Sequence, residues 1–168
     1  MLMAGGLCMD IFARDFLAGL RSESRISWGL SDRWTSALSL AMIESGIHSE
    51  DFAQRFYYNT SEKLLLALGS MTMTHDIPSL LREMEVQYAV QWPLGAVITS
   101  QSLRRYASIH RFLLYSRLAN LELKETWMVT RKLARQTHDG QALLKCCDDV
   151  FYKTQSLIGA FNEAFVTK

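Results

Sequence analysis

The sequence predicts a mainly α fold, a helical bundle with a small β element around residues 64–92. Three observations point there. Apolar residues recur at three- and four-residue spacing in separate stretches early, near residue 40 and at the end of the chain, the period of a helix with one buried face. Residues 83–92 alternate strictly, the period of a half-buried strand. No Pro/Gly/Ser-rich linker, low-complexity tract or solenoid repeat divides the 168 residues, so 1–168 reads as a single domain.

In chain order, Met9, Phe12, Ala13, Phe16, Leu17 and Leu20 form the first stripe, with Asp10, Arg14 and Arg21 off it. Residues 22–29 read as a connector. Ser31 is placed as the N-cap of a second helix with the stripe Trp34, Leu38, Ala41, Met42 and Ser45. Gly46 is placed as its stop, because a residue without Cβ enters the left-handed region cheaply. Ser49 starts one or two further turns, with Glu50 and Asp51 where the helix dipole favours acids. Phe56-Tyr57-Tyr58 favours strand, and the apolar run 64–68 fits either type. Strand 83–92 needs a partner for its backbone groups, and residues 64–73 are assigned to it. Residues 74–78 read as a turn and 79–82 as a short helical piece.

Met84, Val86, Tyr88, Val90 and Trp92 share the apolar side of the strand, which puts Trp92 in the core. Pro93 removes a donor and stops regular pairing. Residues 94–98 form an apolar connector with Gly95 as its flexible point. Thr99 or Ser100 then caps a helix over 101–118, which continues beyond Trp127 to about Arg135. His138-Asp139-Gly140 breaks it. Leu143, Cys147, Val150, Phe151, Thr154, Ile158, Phe161 and Phe165 make the last stripe.

Eighteen basic and seventeen acidic side chains give a formal charge of +1. That balance supplies no general attraction to nucleic acid or an anionic membrane. Three cysteines make no disulfide framework, and a reduced interior location is expected. The start lacks a basic segment before its apolar run, position 2 is Leu, and no uncharged run reaches membrane-spanning length, so neither signal peptide, acyl anchor nor membrane span is expected. The four histidines are scattered, and neither His-Glu-x-x-His nor Cys-x-x-Cys occurs. Cys146-Cys147-Asp148-Asp149 point about 100° apart in succession on a helix and converge poorly on one ion. No catalytic residue, metal or cofactor is assigned.

At about 100° per residue, Leu103, Tyr106, Ala107, Ile109, His110, Leu113, Leu114 and Leu118 share one broad face of the long helix. Arg104, Ser108, Arg111 and Tyr115 line up opposite, with Phe112 toward the polar side. One reading is a basic and aromatic strip for an acidic partner, with Phe112 as anchor. The plain reading packs Phe112 on a neighbouring helix and leaves the arginines in water. Leu123 and Trp127 read as core. His110, mid-face, reads as a core residue that resists protonation.

The string Tyr88-x-Val90-x-Trp92-Pro93-Leu94-x-x-Val97-Ile98-Thr99, followed by Leu103-x-x-Tyr106-x-x-Ile109-x-Arg111-Phe112-Leu113-Leu114, resembles the second grip motif of the gamma-tubulin complex proteins. The likeness continues through Arg117 and the Leu123-x-x-x-Trp127 pair. His110 departs from it, standing where the family usually carries an aromatic. The resemblance implies a gamma-tubulin-binding helical domain in a microtubule-nucleating complex at a cytoplasmic microtubule-organising centre, centrosome or spindle pole. Its partners would be gamma-tubulin and other gamma-tubulin complex proteins, with no catalysis. Partner contact would then fall on Arg104, Ser108, Arg111, Phe112 and Tyr115, with Trp92, Pro93 and Leu94 shaping the site. Charge reversal at Arg104 and Arg111 is expected to weaken gamma-tubulin capture and leave the domain folded. Family members are several times longer, so the chain is expected to be an incomplete slice of their C-terminal domain. A diverged helical scaffold that binds something else is the alternative.

Overall fold

The stripe from Met9 to Leu20 becomes the buried side of α1 (Gly5–Ser22). Phe12, Ala13 and Phe16 are completely buried, and Met9, Leu17 and Leu20 nearly so. A computed structural model of the chain describes residues 5–22, 31–47, 49–60, 77–136 and 140–166. Among them are six α-helices and one two-stranded antiparallel sheet, as the mainly α prediction requires. The chain forms two compact units, Met1–Tyr115 and Ser116–Lys168.

In the first unit α1 packs on α2 (Ser31–Glu44). The Trp34 ring lies 4.5 Å from Phe16 between centroids, and Trp34 and Ala41 are fully buried. Burying rings of this size stabilises by on the order of 2 kcal/mol each. The two helices approach closely at Gly19, where an added Cβ would stand 2.6 Å from Arg33 Nη2. Helix α2 stops as expected at Gly46, which has φ 97°. The Ile47 N–H donates to Met42 O and the Gly46 N–H to Ile43 O, both at 3.0 Å. This double closure satisfies carbonyls that the helix end leaves bare. Ser49 caps α3 (Glu50–Ala53), accepting from the Phe52 N–H at 3.3 Å.

The sheet joins β1 (Phe56–Thr60) to β2 (Met84–Tyr88), with Phe56 opposite Tyr88, Tyr58 opposite Val86 and Thr60 opposite Met84. Two strands are marginal alone. Helix α2 supports them, its Thr35 Oγ1 accepting from the Tyr58 N–H at 3.0 Å. Tyr58 is buried and stacks on Phe12 at 5.5 Å. Thus 56–60 pairs with β2; residues 64–73, expected as its partner, lie outside the described residues. The strand expected over 83–92 ends at Tyr88. One more bond, Ala89 N–H to Arg55 O at 2.8 Å, exhausts the partner, because α3 and its cap occupy the chain before β1. Glu83 belongs to α4 (Ile77–Glu83), which supplies buried Leu80 and Leu81.

Helix α5 (Ser100–Ala134) runs 35 residues without interruption. It holds neither Gly nor Pro, and Arg131 and Lys132 sit in its last turn, where the dipole favours cations. Helix α6 follows as Gly140–Val166. In the second unit Phe151 of α6 is buried and stacks on Trp127 of α5 at 4.7 Å. The Gln155 amide donates to Asn120 Oδ1 at 2.7 Å. The last stripe is only partly covered: Val150 and Phe161 remain exposed.

Candidate functional site

Where the ladder ends, residues 89–99 fold into a tight turn. Gln91 O accepts from the Gly95 N–H at 3.3 Å, Pro93 O from Ala96 at 3.0 Å, and Leu94 O from Ile98 at 2.8 Å. Leu94–Ala96 form a single 3₁₀ turn, and the Trp92–Pro93 peptide is cis. With no strand partner among the described residues, alternation no longer dictates which side is buried. Trp92 is 90% exposed and Val97 78%, so the expectation that Trp92 enters the core is corrected. Pro93 and Leu94 are exposed beside it.

The turn leads directly into α5. Thr99 is the cap, its Oγ1 accepting from the Ser102 N–H at 3.2 Å. The first four turns of the helix are oriented by buried Ala107 and Leu114 and by His110. The His110 ring lies 6.4 Å from Phe12 and 5.8 Å from Tyr58 between centroids. Its Nε2 and the Tyr58 hydroxyl are both buried, with no hydrogen-bond partner among the described residues. Burial, then the nearby Arg111 charge, lowers the imidazole pKa to about 4. Cys8 belongs to the same core; its thiol pKa is raised by burial, which a hydrogen bond to Ser45 opposes.

The expected strip divides. Arg104 and Ser108 are exposed, Ser108 Oγ donating to Arg104 O at 3.0 Å. Arg111 is half-buried, and its Nη2 donates to Met84 O at 3.4 Å. The half-buried Tyr115 donates its hydroxyl to Pro78 O. Burial raises that phenol pKa, while the charges of Arg82 and Arg111 oppose the rise. Phe112 is half-buried. So Arg111 and Tyr115 fasten α5 to β2 and α4, and charge reversal at Arg111 would delete one of these bonds. Tyr106, expected on the core face, is 59% exposed. The buried side of the helix therefore centres nearer Ala107 and Leu114 than the sequence wheel placed it.

Arg105 was missed by that wheel. It is exposed, about 160° round the helix from Ala107. The sequence did hold a signal for it. Residues 86–121 contain four arginines and no acid, while the remaining residues carry fourteen basic against seventeen acidic side chains. Among the described residues, neither the Arg104 nor the Arg105 guanidinium has a hydrogen bond or ion pair.

Elsewhere the chemistry is structural. Trp127 Nε1 donates to Asp148 Oδ1 at 2.7 Å, and the Arg131 guanidinium sits 4.9 Å over the same indole. Asp149 accepts from Lys153 at 2.6 Å. Among the described residues no three His, Cys, Asp or Glu side chains gather for a metal ion, and no helix is long and apolar enough to cross a membrane. An open cleft between α1 and α2 is lined by Asp15, Gly19, Arg33, Leu40 and Ser36, and the Ser36 Oγ donates to Asp32 O at 2.8 Å.

Three comparisons bear on these features. The family model for the gamma-tubulin complex component C-terminal region matches residues 8–163. Gamma-tubulin complex component 2 of Arabidopsis thaliana is 31% identical over 65 residues, 39% of this chain and 10% of that protein. Gamma-tubulin complex component 6 of Mus musculus is 36% identical over 63 residues, 38% of this chain and 4% of that protein. The shared stretch is thus a small part of either relative's length. No solved structure matches the chain.

Proposed function

The chain belongs to the gamma-tubulin complex component C-terminal family, and from that membership we propose that it is a non-enzymatic, gamma-tubulin-binding part of a microtubule-nucleating complex. The observation that carries the reading is the family match across residues 8–163, which takes in both the exposed turn and α5. The names of the relatives, gamma-tubulin complex components 2 and 6, point the same way; the proposed partners are gamma-tubulin and other gamma-tubulin complex proteins, and the proposed place is a microtubule-organising centre.

The work asked of such a part is positional. Each copy holds one gamma-tubulin, and a lateral array of copies presents a template for microtubule growth. That requires a surface which does not yield when the partner docks. Helix α5 meets the requirement through His110 against Phe12 and Tyr58, and through the bonds of Arg111 and Tyr115 to β2 and α4. Trp92, Pro93, Leu94, Arg104 and Ser108 are left facing outward as candidate contacts. Phe112 stands half-buried among them. A stable interface buries roughly 800 Å² per partner, so these residues form the centre of a larger contact.

A pull-down of gamma-tubulin on the purified 168-residue chain tests the proposal, with circular dichroism of the same sample. A helical chain that retains gamma-tubulin is expected. A helical chain that leaves it in the supernatant overturns the proposal and favours a diverged scaffold with another partner.

A further inference from the structure

We infer that the 89–99 turn and the first two turns of α5 receive an acidic protein surface containing an apolar pocket, Trp92 filling the pocket and Arg104 and Arg105 meeting the carboxylates around it. This rests on the gamma-tubulin reading and states which kind of gamma-tubulin surface is engaged.

The apolar part of the argument is exposure. Trp92 at 90%, Val97 at 78% and Tyr106 at 59% lie within fifteen consecutive residues. Trp92 stands at the tip of a turn closed by its own backbone hydrogen bonds, so the indole is presented on a fixed support. Tryptophan, tyrosine and arginine on such supports dominate binding energy at protein interfaces. The turn costs little further ordering when a partner closes over it.

The charge part is complementarity. Residues 86–121 carry four arginines and no acid. Arg111 is spent on Met84 O, whereas Arg104 and Arg105 are exposed and unpaired among the described residues. A cationic patch without internal acids attracts carboxylates and repels wrong, basic partners. A nucleic acid fits less well. Two available arginines release few counterions, and the rest of the chain, with more acidic than basic side chains, repels a long polyanion. The partner is therefore acidic over a small area, with a hydrophobic recess.

The test is gamma-tubulin affinity of the 168-residue chain over a salt series, for wild type, Trp92→Ala, Val97→Ser and the double variant Arg104→Glu/Arg105→Glu. All the substituted side chains are exposed, so helicity and melting temperature should match wild type. Wild-type binding should weaken as salt rises through about 0.15 M. The arginine double variant should bind about tenfold more weakly at low salt and lose most of that salt dependence. Trp92→Ala should lose about thirtyfold at every salt concentration, with Val97→Ser falling between it and wild type. Wild-type binding that every variant retains overturns this inference and leaves the gamma-tubulin reading intact. A folded wild-type chain that does not bind overturns both. Tighter binding to a short single-stranded RNA than to gamma-tubulin replaces the protein partner with a nucleic acid and overturns the inference.

Discussion

The His110 imidazole is held between the rings of Phe12 and Tyr58 with its Nε2 buried and unpartnered among the described residues. Its pKa of about 4 lies below the ordinary value of 6.5, so the unfolded chain binds the extra proton between those two values. Stability conferred by neutral His110 is complete above pH 6.5 and is lost as pH falls toward 4. The loss over that window is on the order of 3 kcal/mol. His110→Phe should remove this part of the acid sensitivity and raise stability at pH 7 by about 1 kcal/mol for one orphaned nitrogen. Urea melts of both proteins at pH 7 and 5 check it; a parallel pH slope contradicts it. Gly46 is the opposite case, a residue whose role is local and legible. Its φ of 97° is costly for any side chain, so Gly46→Ala should lower stability by about 1 kcal/mol in the same melts.

At the scale of elements, α5 is fixed by bonds that no periodicity contains. Tyr115→Phe deletes the hydroxyl bond to Pro78 O and should cost about 0.5–1 kcal/mol. Asp148→Ala removes the 2.7 Å acceptor of the Trp127 indole and should cost about 1.5 kcal/mol, with altered tryptophan fluorescence; no change in either contradicts the contact. The helices were legible because their signals are short-range: the stripe of α1, the Ser49 and Thr99 caps, and a Gly/Pro-free run for α5. The sheet was half legible. Alternation identified β2, but its length is set by β1, whose five residues end the ladder at Tyr88. That long-range limit is why Trp92 is exposed rather than buried. Likewise the roles of Arg111 and Tyr115 depend on carbonyls 27 and 37 residues away.

At the scale of the whole molecule, the family was legible from one run of residues, whereas the way its surface divides was not. Sequence alone grouped Arg104, Ser108, Arg111, Phe112 and Tyr115 as one strip. The fold ties Arg111 and Tyr115 to carbonyls of β2 and α4 and leaves Arg104 exposed, with Arg105 exposed beside it. The acid-free stretch 86–121 was present in the sequence, but charge becomes a surface property only once the helix face is known. Hydrogen exchange of the chain with and without gamma-tubulin, read by peptide mass spectrometry, tests the central claim most directly. The account predicts slowed exchange in peptides spanning 89–108 and little change in those spanning 140–166. Protection confined to 140–166, with 89–108 exchanging as in the free chain, would contradict it.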